Sequence, residues 1–162
     1  MHKVFVGVGS NIGNKKENIR KAFSMISEFA TIVNCSKPYK TKPYGNTQQP
    51  NFINMVIEIE TKLPPLELLA KFKFIEKQLG RVKTLHWAER TIDLDILFMD
   101  NIVLNGNDSI CPNILTIPHP DLENRDFVLR PMMDISPEFR HPVLGKTIRQ
   151  LYEELKSENK SW

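Results

Sequence analysis

Two aspartates, Asp93 and Asp95, stand one residue apart in the run Arg90-Thr91-Ile92-Asp93-Leu94-Asp95-Ile96-Leu97-Phe98. On a β-strand successive side chains alternate between faces, so Ile92, Leu94, Ile96 and Phe98 are expected to point one way and the two carboxylates the other. A rise of about 3.3 Å per residue would put the two Cα atoms roughly 6 to 7 Å apart. Like charges that close on a half-buried strand repel unless a cation neutralises them, which favours Mg²⁺ with phosphate behind it; the other reading is a solvated strand face. Arg81, Lys83, Arg90, His119 and Arg125 fall in loops or at the strand end around this pair. Phosphate needs such a fence of cations, and arginine adds fork-like bidentate bonding that lysine lacks.

Those side chains need a scaffold. Val4, Val6 and Val8 alternate with Phe5, Gly7 and Gly9, a first strand whose second face is nearly bare. Glycines weaken a strand unless something approaches its backbone. Gly9-Ser10-Asn11-Ile12-Gly13 reads as a structural turn, lacking both the P-loop lysine and dinucleotide-fingerprint spacing. Asn14 with Glu17 caps a helix whose apolar set Ile19, Ala22, Phe23, Ile26 and Phe29 carries it to about Phe29. A second strand is expected over 31–39, then a long polar loop over 41–51. The clearest strand is 52–61, with Ile53, Met55, Ile57 and Ile59 on one face and Phe52, Asn54, Val56, Glu58 and Glu60 on the other. That second face carries an aromatic and an amide, which suits either a flat polar ligand or a solvated sheet face. Pro64-Pro65 opens a second helix with a Leu68, Leu69, Phe72, Ile75, Leu79 stripe, closed by Gly80. A basic loop containing Trp87 leads into the aspartate strand.

Strand, helix, strand, strand, helix, strand is the ferredoxin-like βαββαβ order. It predicts an α+β fold: an antiparallel sheet with both helices on one face. The opposite face would gather Gly7, Gly9, Phe52, Asn54, Asp93 and Asp95 on one open surface. Further on, a short hairpin is expected from 101–104 and 115–117, a helical turn through Leu129 to Met133, and a closing amphipathic helix marked by Ile148, Leu151, Tyr152 and Leu155.

At 162 residues the chain fits one domain, read as spanning 1–162, and its 41% apolar and 25% charged composition is that of a globular protein. A net charge of +3 permits local basic patches but falls short of a dedicated nucleic-acid binder. Cys35 and Cys111 are too few for a disulfide framework and lack zinc spacing, so both are expected as small buried hydrophobes in a reducing cytosol. No secretory signal or transmembrane helix is read in the sequence.

The joint pattern closely resembles the 6-hydroxymethyl-7,8-dihydropterin pyrophosphokinase family of folate synthesis. It is carried by Arg90 to Leu97 preceded by Trp87, by Ile117-Pro118-His119-Pro120, and by Asn124-Arg125-Asp126-Phe127-Val128-Leu129. Val8-Gly9-Ser10-Asn11, Tyr39-Lys40-Thr41 with Pro43 and Gly45, Pro50-Asn51-Phe52-Ile53-Asn54, Glu76 and Gly80-Arg81 extend the likeness over essentially the whole chain. The resemblance implies transfer of the β,γ-pyrophosphoryl group of ATP to the pterin's hydroxymethyl oxygen, releasing AMP. By the same resemblance Asp93 and Asp95 hold two Mg²⁺ ions, with Arg81 and Arg90 completing the catalytic set. Glu76, Arg81, Lys83, Arg90, Ile96, His119 and Arg125 contact ATP. Thr41, Pro43, Tyr44, Phe52, Asn54, Trp87, Asp93 and Phe127 hold the pterin, Phe52 and Phe127 sandwiching it. A cytoplasmic monomer with small-molecule substrates, and with neither nucleic acid nor membrane as partner, is expected. The chain departs from the family at Ala88-Glu89, Lys83 and Ile114, which leaves its basic loop poorer in arginine.

Two alternatives stay open. Another two-metal phosphoryl or nucleotidyl transferase would share the carboxylate pair. A ferredoxin-like RNA-binding module would use sheet aromatics to stack bases, although adjacent carboxylates repel a phosphate backbone.

Overall fold

The computed structural model describes residues 1–41, 51–80, 91–105 and 115–159. Five strands, β1 (His2–Ser10), β2 (Ala30–Cys35), β3 (Tyr39–Thr41), β4 (Phe52–Thr61) and β5 (Asp93–Met99), form one sheet with four α-helices. The helices are α1 (Lys15–Ile26), α2 (Pro65–Gln78), α3 (Asp126–Ile135) and α4 (Ile148–Asn159). Every pairing is antiparallel, in the order β2-β4-β1-β5, with β3 extending the edge beside β4. The α+β, ferredoxin-like core expected from the sequence is present.

The alternation of β1 and β4 builds two cores. Val4, Val6, Val8, Met55, Ile57 and Ile59 meet Ile19, Ala22 and Ile26 of α1 and Leu68, Phe72 and Ile75 of α2. On the other face Phe5, Val56, Leu97 and Phe98 meet Val128, Leu129 and Met132 of α3 and Ile148 and Leu151 of α4. The far face is therefore only partly open: the C-terminal helices cover the end holding Phe5, and the end holding Gly9, Asn54 and Asp93 stays accessible.

Local chemistry sets the element ends. Asn14 caps α1 by accepting from the Glu17 N–H at 3.2 Å, and Pro65 starts α2. Helix α1 stops at Ile26, three residues earlier than its periodicity suggests, because the Glu28 and Phe29 N–H groups turn back onto the Met25 and Ile26 carbonyls. Residues 31–39 are two strands, not one. Ser36 turns inward, its N–H donating to the Val56 carbonyl and its hydroxyl accepting the Val56 N–H, both at 2.9 Å, and Pro38 has no N–H for a ladder. Ser36 is buried at that turn while Cys35 is exposed, which corrects the expectation of a buried thiol; Cys111 lies outside the described residues.

Strand β5 also departs from simple alternation. Phe5 pairs with Phe98 and Val6 with Ile96, so Leu97 is an extra residue in a β-bulge. A bulge resets the alternation. Phe98 consequently joins Phe5 under α3 and α4, edge-on with ring centroids 6.3 Å apart, and Met99 takes the α1/α2 side where Phe98 was expected. The expected hairpin of 101–104 and 115–117 is one bridge, Leu104 to Ile117, and the helical turn near Leu129 is the full helix α3.

Candidate functional site

The register of the sheet assembles the site. Gly9 of β1 pairs with Asn54 of β4 on one side and Asp93 of β5 on the other; Gly7 likewise lies between Val56 and Asp95. With strands about 4.8 Å apart, Asn54 and Asp93 stand roughly 10 Å from each other across a strip of backbone that carries no side chain. The fit is closest at Gly9: a Cβ added there would lie 2.7 Å from the Asn54 Oδ1, whereas one at Gly7 would meet Leu97 at an ordinary 3.5 Å. The Asn54 amide is held over this strip by donating from Nδ2 to the Thr41 hydroxyl at 2.5 Å. Phe127, in the first turn of α3, closes the other side, with the Arg125 guanidinium carbon 5.7 Å from its ring centroid.

Asp93 and Asp95 are both half-buried and share the face of the two glycines. The main chain that carries them is gripped from two directions. Buried Ser10 donates to the Thr91 carbonyl at 2.5 Å and accepts from Asn18 Nδ2 at 3.3 Å. From α2, the carboxylate of Glu76, only 1% exposed, accepts the Leu94 N–H at 2.8 Å, between the two aspartates. Lys73 Nζ lies 3.4 Å from its other oxygen.

His119 stands beside Asp95, Nε2 to Oδ1 at 4.0 Å, its backbone N–H bonded to the Leu97 carbonyl at 2.9 Å. Burial pushes its ring pKa below the usual value. The Pro120 carbonyl pulls the other way, Arg125 lowers it further, and Asp93 raises it. The net direction favours a neutral ring.

Gly7, Gly9, Asn54, Asp93, Asp95, His119, Arg125 and Phe127 together line a cleft of about 40 Å³. Sites for small molecules occupy roughly 300 to 1,000 Å³, so this cleft by itself is smaller than a full small-molecule site. A larger cavity of about 490 Å³, lined by Lys15, Ile19, Ile53 and Met55, lies against α1 on the opposite face of the sheet, with no carboxylate among its described lining residues.

The residues present fit Mg²⁺. Carboxylate oxygens are hard donors, and magnesium takes one or two of them while keeping water and substrate phosphate in its remaining positions. Among the described residues no group of three or more His, Cys, Asp or Glu could hold a metal, so an all-protein cage of the kind zinc prefers is not found there.

The model of the 7,8-dihydro-6-hydroxymethylpterin-pyrophosphokinase family matches residues 5–137. The chain belongs to this family. It is 38% identical over 150 residues to the 2-amino-4-hydroxy-6-hydroxymethyldihydropteridine pyrophosphokinase of Aquifex aeolicus, covering 93% of this chain and 90% of that one. The Haemophilus influenzae protein of the same name is 40% identical over 155 residues, with 93% of each chain covered. Among solved structures, the wild-type HPPK-DHPS of Plasmodium falciparum matches 99% of this chain and 45% of its own at a TM-score of 0.77 and 21% identity, a likeness of fold.

In this pyrophosphokinase the sheet thus brings together Thr41, Phe52, Asn54, Asp93, Asp95, His119, Arg125 and Phe127 at one end of the sheet. Glu76 and Ile96, expected beside ATP, lie on the other side of β5: Glu76 is bonded to the strand, and Ile96, 3% exposed, is packed in the α1/α2 core. Pro43, Tyr44, Arg81, Lys83, Trp87 and Arg90 fall outside the described residues. Ser10 and Asn18 join the site as supports of the aspartate strand, and their signal in the sequence is a hydroxyl and an amide flanking the glycine turn. An RNA-binding module would need a free sheet face for stacking, and α3 and α4 occupy much of it here.

Proposed function

We infer that this chain is the pyrophosphokinase of folate biosynthesis that its family describes: it transfers pyrophosphate from ATP to the hydroxymethyl group of 6-hydroxymethyl-7,8-dihydropterin. The hydroxymethyl oxygen attacks the β-phosphorus, the bond from that phosphorus to the oxygen of the α-phosphate breaks, and AMP leaves. The hydroxyl proton is released.

The observation that carries this reading is the row Asn54, Gly9, Asp93 across three strands, under Phe127. A flat bicyclic ring resting on the bare Gly9 backbone puts its amide edge at Asn54 and Thr41. Its hydroxymethyl arm then points at Asp93 and Asp95. Phe52 and Phe127 supply the stacking faces. In this reading Asp93 and Asp95 would hold two Mg²⁺ ions, whose chemistry there would be neutralisation of phosphate charge. Arg125 and His119 flank the phosphates, joined by Arg81, Lys83 and Arg90 from the basic segment. Pro43, Tyr44 and Trp87 complete the pterin wall. Ser10 and Glu76 keep the aspartate strand in register. Glu76 and Ile96 contribute to the ATP site by supporting its wall.

We read residues 1–162 as a single domain acting as a cytoplasmic monomer. Two helical layers on one sheet support the first point. No helix among the described residues is long and apolar enough to cross a membrane.

Incubation with ATP, Mg²⁺ and the reduced hydroxymethylpterin, followed by phosphorus NMR, tests the function. AMP with a pyrophosphorylated pterin is expected. ADP or free pyrophosphate as product would overturn the assignment in favour of another phosphoryl or nucleotidyl transferase.

A further inference from the structure

Strand β3 has three residues, pairs among the described residues with β4 alone, and carries Thr41. So short an edge strand has little stability of its own. Its root is tied to α3. The Lys37 N–H and the Tyr39 hydroxyl both donate to one oxygen of Asp134, at 3.1 and 2.7 Å. One turn earlier on the helix, Arg130 lays its guanidinium carbon 4.8 Å from the Tyr39 ring centroid, a cation–π contact.

The tie joins the two sides of the cleft. Tyr39 pairs with Asn54 and Thr41 with Phe52, so all four side chains share the face turned toward α3. Phe127 precedes Asp134 by seven residues, two helical turns, on the same helix face. One end of α3 therefore holds Phe127 over the cleft, and the other grips the strand from which the opposite wall hangs.

We propose that Asp134 is a positioning residue for the pterin wall: by fixing β3 it holds Thr41, and through Thr41 the Asn54 amide, at a set spacing from Phe127. This rests on the assignment of the pterin to that cleft. Asp134 is exposed and Tyr39 half-buried, both outside the two cores, so substitution leaves the fold intact.

The test uses the full chain with Asp134→Ala, Tyr39→Phe, the double variant, and Phe127→Ala as a reference. Pterin affinity is read by calorimetry with a non-hydrolysable ATP analogue, nucleotide affinity separately, and exchange of the β3 amides by mass spectrometry. Asp134→Ala is expected to weaken pterin about five- to tenfold, the net scale of one ordinary hydrogen bond for a residue that acts through its neighbours, to speed β3 exchange and to leave nucleotide affinity unchanged. Tyr39→Phe gives part of that effect, and the double variant is no weaker than Asp134→Ala. If Phe127→Ala loses pterin while Asp134→Ala keeps both affinity and exchange rate, the positioning role is overturned and the pterin site stands. If Asp134→Ala weakens both substrates in parallel, the residue serves general stability and the proposal fails. If Phe127→Ala binds pterin normally, the pterin assignment itself is wrong and the proposal falls with it.

Discussion

At the scale of single residues, the candidate site is marked by two carboxylates, Asp93 and Asp95, and by a missing side chain at Gly9. On the proposed metal role, Asp93→Ala or Asp95→Ala should lower turnover by roughly two to three orders of magnitude, the scale of losing one transition-state electrostatic element. Manganese binding followed by electron paramagnetic resonance should weaken in the same variants, and unaltered turnover and metal affinity would refute the metal role. Gly9→Ala introduces a Cβ 2.7 Å from the Asn54 Oδ1, whose amide is already committed to Thr41. Asn54 must swing away, so pterin affinity should drop while the melting temperature shifts little. Gly7→Ala, with only an ordinary contact to Leu97, is the matched control. The sequence made Asp93, Asp95, Asn54 and the bare glycine face legible because each alternates on a regular strand. It did not reveal that Gly9 lies between Asn54 and Asp93, since pairing partners are set by sheet register, a long-range property.

At the scale of elements, the segment between α3 and α4 is organised by His141. Its Nδ1 accepts the N–H groups of Val143 and Leu144, both at 3.1 Å, and its ring packs edge-on against Phe98. Burial holds its pKa below the usual 6.5, although Glu123 pulls it upward. The unfolded chain therefore binds the proton first: stability from this group is fully present above about 6.5 and declines as pH falls from 6.5 toward the lower folded value. His119 is shifted the same way and adds to the decline. His141→Asn keeps an acceptor near the Nδ1 position without a titrating ring. Its melting temperature should fall less between pH 7.5 and 5.5 than that of the unsubstituted chain, and equal slopes would exclude His141 as a source. Element order and type were readable from periodicity, caps and prolines. The breaks were not. Ser36 ends β2 through bonds to Val56, twenty residues away, and the Leu97 bulge turns Phe98 against Phe5 and Phe139 beneath the C-terminal helices.

At the scale of the whole molecule, one chain provides both walls of the cleft. Sedimentation at catalytic concentration tests the monomer reading, for which one species of about 18.8 kDa is expected. Adding a chelator should abolish transfer, and restoring Mg²⁺ should recover it, because the aspartate pair without cations repels the triphosphate; transfer that persists in chelator would contradict the two-metal reading. The sequence by itself determined the α+β order, the two amphipathic helices, the carboxylate pair and, through its combined motifs, the family. Those features are local or carried by spacing along the chain. Tertiary structure alone decided how β1 aligns with β4 and β5, which end of the second sheet face α3 and α4 cover, and which buried groups steady the aspartates. The reason is physical: Gly9 meets Asn54 and Asp93, Ser10 meets Thr91, and Tyr39 meets Asp134 across long stretches of chain. No local pattern encodes such meetings, because packing and register choose them together.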